Sequence, residues 1–457
     1  MRSIVDWHSE KIEEFIIIVA TDAPVSFAGR LRHLGPGIIV AGSIVGSGEL
    51  VLTSSLGAVV GFGLLWFLLL SCWSKTIVQS ELARLCILNK STFLNVFNRL
   101  PGKLPGRQKQ VSWLVWYFFL NTFITLLAAG GILGGATEAI KLIFPEWSYP
   151  AIALTLTVLA ALILGSGSYQ MLEKLLLLMV SSFTAISIYC AIALQFSDAA
   201  VPLTQILATQ SFDFPIEHLA LIIAVFSFTG VNIGESIYYS YFCMDKGYAN
   251  HIGETETDQG ISRAKSWLRV MHTDVWLTLV LLTLVTIPFY ILGASVLHAT
   301  GLEPDNNNMI QVISTIYTDV LGPWANDLFL VGAFLVLYST LLAWVGGDSR
   351  QLSDNAIELG FLPDDDAVRL QWKRGIGYVW PFTFFALLMI FETPLTMIIL
   401  GAATYALTGP LVVGSILYLR KKTLADSVRS GPAATALLYL ALTVMLLIGA
   451  GTIYALI

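Results

Sequence analysis

Charge is what this chain has least of. Asp, Glu, Lys and Arg make up 12% of its 457 residues, while 56% are hydrophobic and the mean hydropathy is +0.75. A soluble chain of this length carries about a quarter charged residues, so the composition excludes a soluble globular protein and requires an integral membrane one. Cysteine is sparse too. Cys72, Cys86, Cys190 and Cys243 lie in or beside apolar runs at no metal-ligand or redox spacing and read as packing residues. The six histidines form no zinc motif, and no nucleophile elbow or phosphate loop is present, so an enzyme is not expected and no cofactor is called for. The net charge of −6 says little about partners, because placement matters more than the sum. Neither nucleic acid nor an obligatory protein partner is expected. The opening "MRSIVDWHSEKIEEFIIIVA" lacks the features of a cleaved signal peptide, and residues 1–36 are expected to form a cytoplasmic arm.

Apolar runs of about 20 residues are what a hydrocarbon core of about 30 Å demands of a helix. Eleven are expected, near 37–57, 62–86, 112–144, 149–165, 171–195, 217–243, 270–297, 326–347, 376–391, 394–418 and 433–456. Lys and Arg fall in alternate loops, among them Arg30 and Arg32, Arg99 to Lys109, Lys246 to Arg269, Arg350 to Arg374, and Arg420 to Arg429. These are expected to be cytoplasmic. The intervening loops, "PEWSYP", 196–216, 299–325 and "ETP", contain no Lys or Arg and are moderately acidic, with Asp198, Glu303 and Asp305 among their carboxylates. The N-terminus is therefore expected inside and, with an odd number of spans, the C-terminus outside.

Two of these runs are interrupted alike. "SIVGSGEL" at 43–50 and "TGVNIGES" at 229–236 each place glycines and a carboxylate in mid-membrane, with Ser43, Val45, Gly48 and Glu49 answering to Thr229, Val231, Gly234 and Glu235. Each interruption opens a set of five helices. The expected organisation is an all-α inverted repeat, 37–195 and 217–418, with 433–456 as an additional eleventh helix. An odd number of helices per half turns the halves upside down relative to each other, and matching interrupted helices mark a substrate site in such folds. Carbonyls freed by unwinding cannot face lipid, so they must line a cavity or coordinate something. Gly46, Ser47, Glu49, Thr229, Asn232 and Glu235 form the candidate metal site. A carboxylate at a helix centre costs about 2.5 to 3.5 kcal/mol without compensation. Oxygen donors with no thioether, thiol or imidazole in either stretch suit a hard cation such as Mg²⁺ or Ca²⁺. Close helix packing through small residues is the plainer explanation of either interruption taken alone.

The run "GPGIIVAGSIVGSGELVLTSSLGAVVGFGLLWFLLLSCWSKTIVQSELAR", with "GSYQMLEKLLLL" at 167–178 and "VNIGESIYYS", resembles the Nramp divalent-metal transporters. The resemblance covers most of the chain and implies a LeuT-type fold with helices 1 and 6 broken. Against the family pattern, Asp-Pro-Gly-Asn of the first helix is here Gly46-Ser47-Gly48-Glu49. The sixth-helix methionine and histidine are replaced within Thr229, Asn232, Ile233, Gly234 and Glu235, and the acidic pair of the third helix falls on Ala129 and Ile132. This pattern is similar to the prokaryotic Nramp-related magnesium transporters. It implies import of Mg²⁺, with Mn²⁺ as a second cargo, through a prokaryotic cytoplasmic membrane and without proton coupling. Loss of the thioether removes a bias toward transition metals. A divalent ion gains roughly 4.6 kcal/mol in crossing about 100 mV, enough for roughly thousandfold accumulation. Passive uptake is thus feasible. The alternatives are a proton-coupled transition-metal transporter, a carrier of a small organic solute, whose carboxylate Glu49 and Glu235 would repel, and a channel or non-transporting metal sensor.

Other polar residues fall within the expected spans. Lys75 and Glu81 are expected to snorkel or pair near the cytoplasmic end of the second span, with gating of the inner path as the alternative. Glu138 and Lys141 are expected to form an i, i+3 ion pair. His272, Asp274 and Asp348 sit where capping or gating is equally reasonable, and Tyr238 and Tyr239 read as aromatic packing.

Overall fold

The computed structural model describes residues 21–166, 169–196, 200–253 and 257–456. Most of the expected cytoplasmic arm, Asp198 and the start of the "GSYQ" connection lie outside the described residues.

Helix 1 runs from Pro36 to Val60 and helix 2 from Leu65 to Asn89. Helices 3, 4 and 5 are Trp113–Ile143, Tyr149–Gly165 and Tyr169–Leu194. Helix 6 comes in two pieces, Leu219–Phe228 and Ile233–Asp245. Helices 7 to 11 begin at Asp258, Ala325, Asp366, Pro394 and Pro432. Among the described residues, eight helical segments are long and apolar enough to cross a membrane. Helix 2, which carries Lys75, Glu81 and Arg84, and helix 4, which has 17 residues, fall short of that standard.

The packing follows the repeat. Helix 3 lies along helix 8 and helix 4 along helix 9, pairs that map onto themselves when each helix is exchanged for the one five places away. The contact of helix 3 with helix 10 maps onto that of helix 8 with helix 5, and helix 2 against helix 6 maps onto helix 7 against helix 1. Helices 1 and 6 occupy the middle. Residues 46–58 and 222–243 are buried without exception, so both faces of these segments are covered by protein.

Three features differ from the sequence expectation. Residues 299–325, read as a loop, contain the helix Met309–Leu321, whose apolar face of Met309, Ile310, Ile313, Ile316 and Tyr317 is buried. Helices 7 and 8 run well past their apolar cores, beginning at Asp258 and ending at Glu358 respectively, because nothing in those flanks breaks a helix. A two-stranded antiparallel ribbon, Lys103–Pro105 with Gln110–Ser112, interrupts the all-helical plan in the loop between helices 2 and 3.

Candidate functional site

The two interruptions take different forms. In helix 1 the α-helical winding gives way to a π-helical run, Val45–Thr53, between Pro36–Ile44 and Ser54–Val60. The chain keeps winding there, but in wider turns bonded from i to i+5, a geometry that concentrates at functional sites. Helix 6 is cut outright. Thr229 is extended (φ −68°, ψ 137°) and Gly230 takes φ +68°, a left-handed value that glycine tolerates best. A Cβ on Gly230 would also stand 2.9 Å from Cα of Cys72 on helix 2. Asn232 restarts the helix as its N-cap, its side-chain oxygen accepting from the backbone N–H of Glu235 at 2.9 Å.

Helix 1 presses directly on this cut. A Cβ on Gly48 would come within 2.8 Å of the Phe228 carbonyl, so only a bare backbone fits. Thr53 Oγ1 donates to the Gly48 carbonyl at 2.9 Å and shares a 3.1 Å hydrogen bond with Thr229 Oγ1. Glu49 is fully buried. Its Oε1 accepts from the backbone N–H of Gly230 and from Thr286 Oγ1 of helix 7, each at 3.0 Å. Its Oε2 is also buried and has no hydrogen-bond partner among the described residues.

Lys75 completes the centre. Its side chain is buried, and Nζ donates to the carbonyls of Phe226 and Thr229 at 2.5 Å each and of Ser227 at 3.3 Å. Ser71 Oγ, one turn earlier, donates to two of the same carbonyls at 2.8 and 3.2 Å. These carbonyls end the first piece of helix 6. They are the acceptors a helix C-terminus leaves unpaired and carry the negative end of its dipole. The expectation that Lys75 snorkels or pairs near the cytoplasmic end is therefore corrected. Lys75 is ten residues into a 25-residue helix, roughly 15 Å from its start at 1.5 Å per residue, and helix 6 offers acceptors nearer than any interface. That depth was readable in the sequence; the acceptors were not.

The six expected residues separate into three groups. Glu49 and Thr229 meet at the cut. Asn232 caps the restarted helix, with Glu235 buried in its first turn and within Coulombic reach of Lys75 and Tyr405. Gly46 faces helix 8, where an added Cβ would meet the Val336 carbonyl at 2.8 Å and Thr340 more closely still. Ser47 is buried beside it. Cys72, a packing residue by sequence, packs at the cut, with Sγ 3.0 Å from the place a Gly230 Cβ would occupy. Among the described residues, no three His, Cys, Asp or Glu side chains converge as a ready-made metal cluster. What the centre offers a cation is one spare carboxylate oxygen, a second carboxylate a turn away, hydroxyls and main-chain oxygens.

The remaining buried charges have structural partners. Glu138 does not pair with Lys141. Its Oε1 accepts from the N–H groups of Ile310 and Gln311 at 2.9 and 3.1 Å, capping the helix Met309–Leu321, while Lys141 binds the carbonyls of Pro145 and Trp147. Asp274 caps helix 1, accepting from the Gly37 N–H at 2.8 Å and from Tyr239 at 3.0 Å. Asp348 accepts from Trp380 Nε1 at 2.6 Å and Tyr238 at 3.3 Å. Glu81 forms ion pairs with Arg84 at 3.1 Å and Arg420 at 3.7 Å.

Comparison with known proteins matches this arrangement to a wider group. The family model described as natural resistance-associated macrophage protein-like matches residues 37–455. An uncharacterized protein of Pasteurella multocida (strain Pm70) is 23% identical over 330 residues, covering 70% of each chain. The manganese transporter of Eremococcus coleocola, solved with an aromatic bis-isothiourea compound, superposes with a TM-score of 0.66 at 15% identity, over 95% of this chain and 89% of that one. Mhp1, a nucleobase-cation-symport-1 family transporter in a closed conformation, gives 0.57 at 15% identity, over 95% and 92%. At such identities the likeness shows the fold, which is of the LeuT type.

Proposed function

The chain belongs to the natural resistance-associated macrophage protein (Nramp) family, and from that premise we propose that it carries a divalent metal cation across the membrane by alternating access. Mg²⁺ is the proposed cargo, with Mn²⁺ as a second. The observation that carries the reading is Glu49, a fully buried carboxylate at the crossing of helices 1 and 6 with one oxygen unclaimed by protein among the described residues. A buried charge demands compensation. A cation held by Glu49, with hydroxyls and waters filling its other positions, provides it. Mg²⁺ sheds water reluctantly and usually takes only one or two carboxylates from its host, which suits so sparse a donor set.

Uptake without obligatory proton coupling is supported by helix 3, where Ala129 and Ile132 are buried and apolar at the positions of the family's acidic pair. A second reading, a transition metal as the cargo, is favoured by the Cys72 thiol behind Gly230 and by the manganese transporter of Eremococcus coleocola, which shares the fold. The proposed setting is a prokaryotic cytoplasmic membrane with the N-terminus inside.

The decisive experiment uses purified protein in liposomes that report internal Mg²⁺ and pH, with Mg²⁺, Mn²⁺, Ca²⁺ and Cd²⁺ supplied outside in competition. Mg²⁺ influx with a silent pH signal is the expected result. Influx of Mn²⁺ or Cd²⁺ with acidification and without Mg²⁺ would establish the second reading, and no divalent flux would overturn both.

A further inference from the structure

An ammonium group sits where a free cation would be expected. The carbonyls of Phe226, Ser227 and Thr229 converge on Lys75 Nζ at 2.5 to 3.3 Å, and the face of the Phe226 ring lies 5.4 Å away. Main-chain carbonyls at the negative end of a helix, backed by an aromatic face, are the ligands that replace water around hard cations. Lys75 has no ion-pair partner within 4 Å among the described residues, although a buried lysine ordinarily requires one. Glu49 and Glu235 lie within Coulombic reach of it. The adjoining cavity, between Lys75, Ile233, Tyr405 and Met445, has a volume of about 10 Å³, barely room for one water. That cavity leaves the cradle no second occupant, and a cation on the Glu49 carboxylate would face the ammonium across the single Thr229–Gly230 peptide, where the two positive charges repel.

We propose that Lys75 is a tethered cation occupying a carbonyl cradle at the cut of helix 6, and that a cargo ion settles on the Glu49 oxygens only as the ammonium withdraws. The cradle stands on its own geometry; the exchange with cargo rests on the transport reading above. In this arrangement the chain's own ammonium satisfies the helix 6 carbonyls of the empty carrier, while one Glu49 oxygen stays open for cargo. Glu49 is held by Gly230 on one side of the cut and the cradle is filled on the other, so the cut can persist in a buried setting without a bound ion. Loading then becomes a replacement of one positive charge by another, and the four-carbon stem of Lys75 makes that replacement reversible.

The test vacates the cradle and supplies a free occupant. Lys75→Ala, purified in detergent, is melted in choline chloride and then with rising methylammonium or K⁺. The expected result is a melting temperature below wild type that rises saturably with methylammonium and not with choline, while wild type does not respond. Lys75→Gln, which keeps donors but no charge, serves if the alanine variant does not fold, and is expected to bind Mn²⁺ at least about tenfold more tightly than wild type. On unaltered protein, reductive dimethylation of Lys75 read by mass spectrometry is expected to increase severalfold when Mn²⁺ or Mg²⁺ is present. Absence of a methylammonium effect, or divalent binding in Lys75→Gln no tighter than wild type, would overturn the proposal, as would dimethylation indifferent to divalent ions. Methylammonium stabilisation in a protein that binds no divalent ion would leave the cradle standing and remove the transport reading instead.

Discussion

Lys75 and Glu49 hold opposite ends of a single peptide unit. The carbonyl of Thr229 accepts from Lys75 Nζ at 2.5 Å, and the N–H of Gly230, across the same planar bond, donates to Glu49 Oε1 at 3.0 Å. Helix 2 and helix 1 thus fix the cut in helix 6 from its two sides, and each charge orders the peptide dipole that the other needs. Charge-assisted hydrogen bonds of this kind are worth about 1.5 to 3 kcal/mol each.

Glu49→Gln keeps the shape and the ability to accept from Gly230 and Thr286 but removes the charge. Divalent uptake into liposomes is expected to fall at least about a hundredfold, the effect of losing roughly 2.7 kcal/mol of binding, while the purified protein stays folded. Unchanged flux would exclude Glu49 from the transport path.

Thr286→Val removes the hydroxyl that donates to Glu49 Oε1 at 3.0 Å. The expected cost is about 1 kcal/mol of stability and a severalfold loss of uptake, because the carboxylate loses an orienting contact but not its charge. Thermal melting and initial uptake rates together check this. A loss as complete as that of Glu49→Gln would mean that Thr286 touches the cargo itself.

Gly230→Ala places a Cβ at φ +68° and within 2.9 Å of the Cys72 backbone. Left-handed strain alone costs about 1 to 3 kcal/mol, and the backbone contact adds to it. The variant is expected to melt well below wild type and to carry no cation, whereas Gly48→Ala, opposed by the Phe228 carbonyl at 2.8 Å, should fail by separating helices 1 and 6. A Gly230→Ala protein as stable as wild type would show that the cut tolerates another backbone path.

Asn232→Met reintroduces a thioether and is expected to raise Cd²⁺ uptake relative to Mg²⁺. It also deletes the N-cap on Glu235, at a cost of about 1 kcal/mol. Asn232→Ala carries the same stability cost without the sulfur, so the selectivity shift is read between those two variants. Equal Cd²⁺ to Mg²⁺ ratios in both would take residue 232 out of the selectivity filter.

Glu138→Ala should act far from the cut. With the N–H groups of Ile310 and Gln311 uncapped, hydrogen exchange across Met309–Leu321 is expected to speed up by about tenfold or more, corresponding to roughly 1.4 kcal/mol. Exchange within helices 1 and 6 should stay as in wild type; faster exchange there would mean that the outer helix braces the centre.

The periodicity that gives a fold its helices was plainly written in this sequence, because hydrocarbon demands long apolar runs and tolerates glycine-rich interruptions only where protein covers them. The "TGVN" stretch announced a cut, since a glycine able to take positive φ followed by a good N-cap is how a helix stops and restarts. "GSGEL" carries the same signals, Ser47 being as good an N-cap type as Asn232, yet helix 1 keeps winding there in wider turns, so the difference between the two forms was not legible. Glu49, Glu235 and Lys75 could all be placed deep in their spans from sequence; what Lys75 holds could not be read, because its role depends on carbonyls 151 to 154 residues away. Glu138 was misjudged for the same reason. A lysine at i+3 is a visible partner, whereas the exposed amides of a helix some 170 residues later are not.

The wide turns of Val45–Thr53 store slack. A helix bonded from i to i+5 over nine residues can shorten its hydrogen-bonded rings by one residue without breaking its rod, and doing so twists everything before it about the axis. Helix 1 is thereby built as a screw: Glu49 lies inside those turns, beyond Pro36–Ile44, so tightening the run on its N-terminal side would turn Pro36–Ile44 while the carboxylate keeps its bond to Gly230.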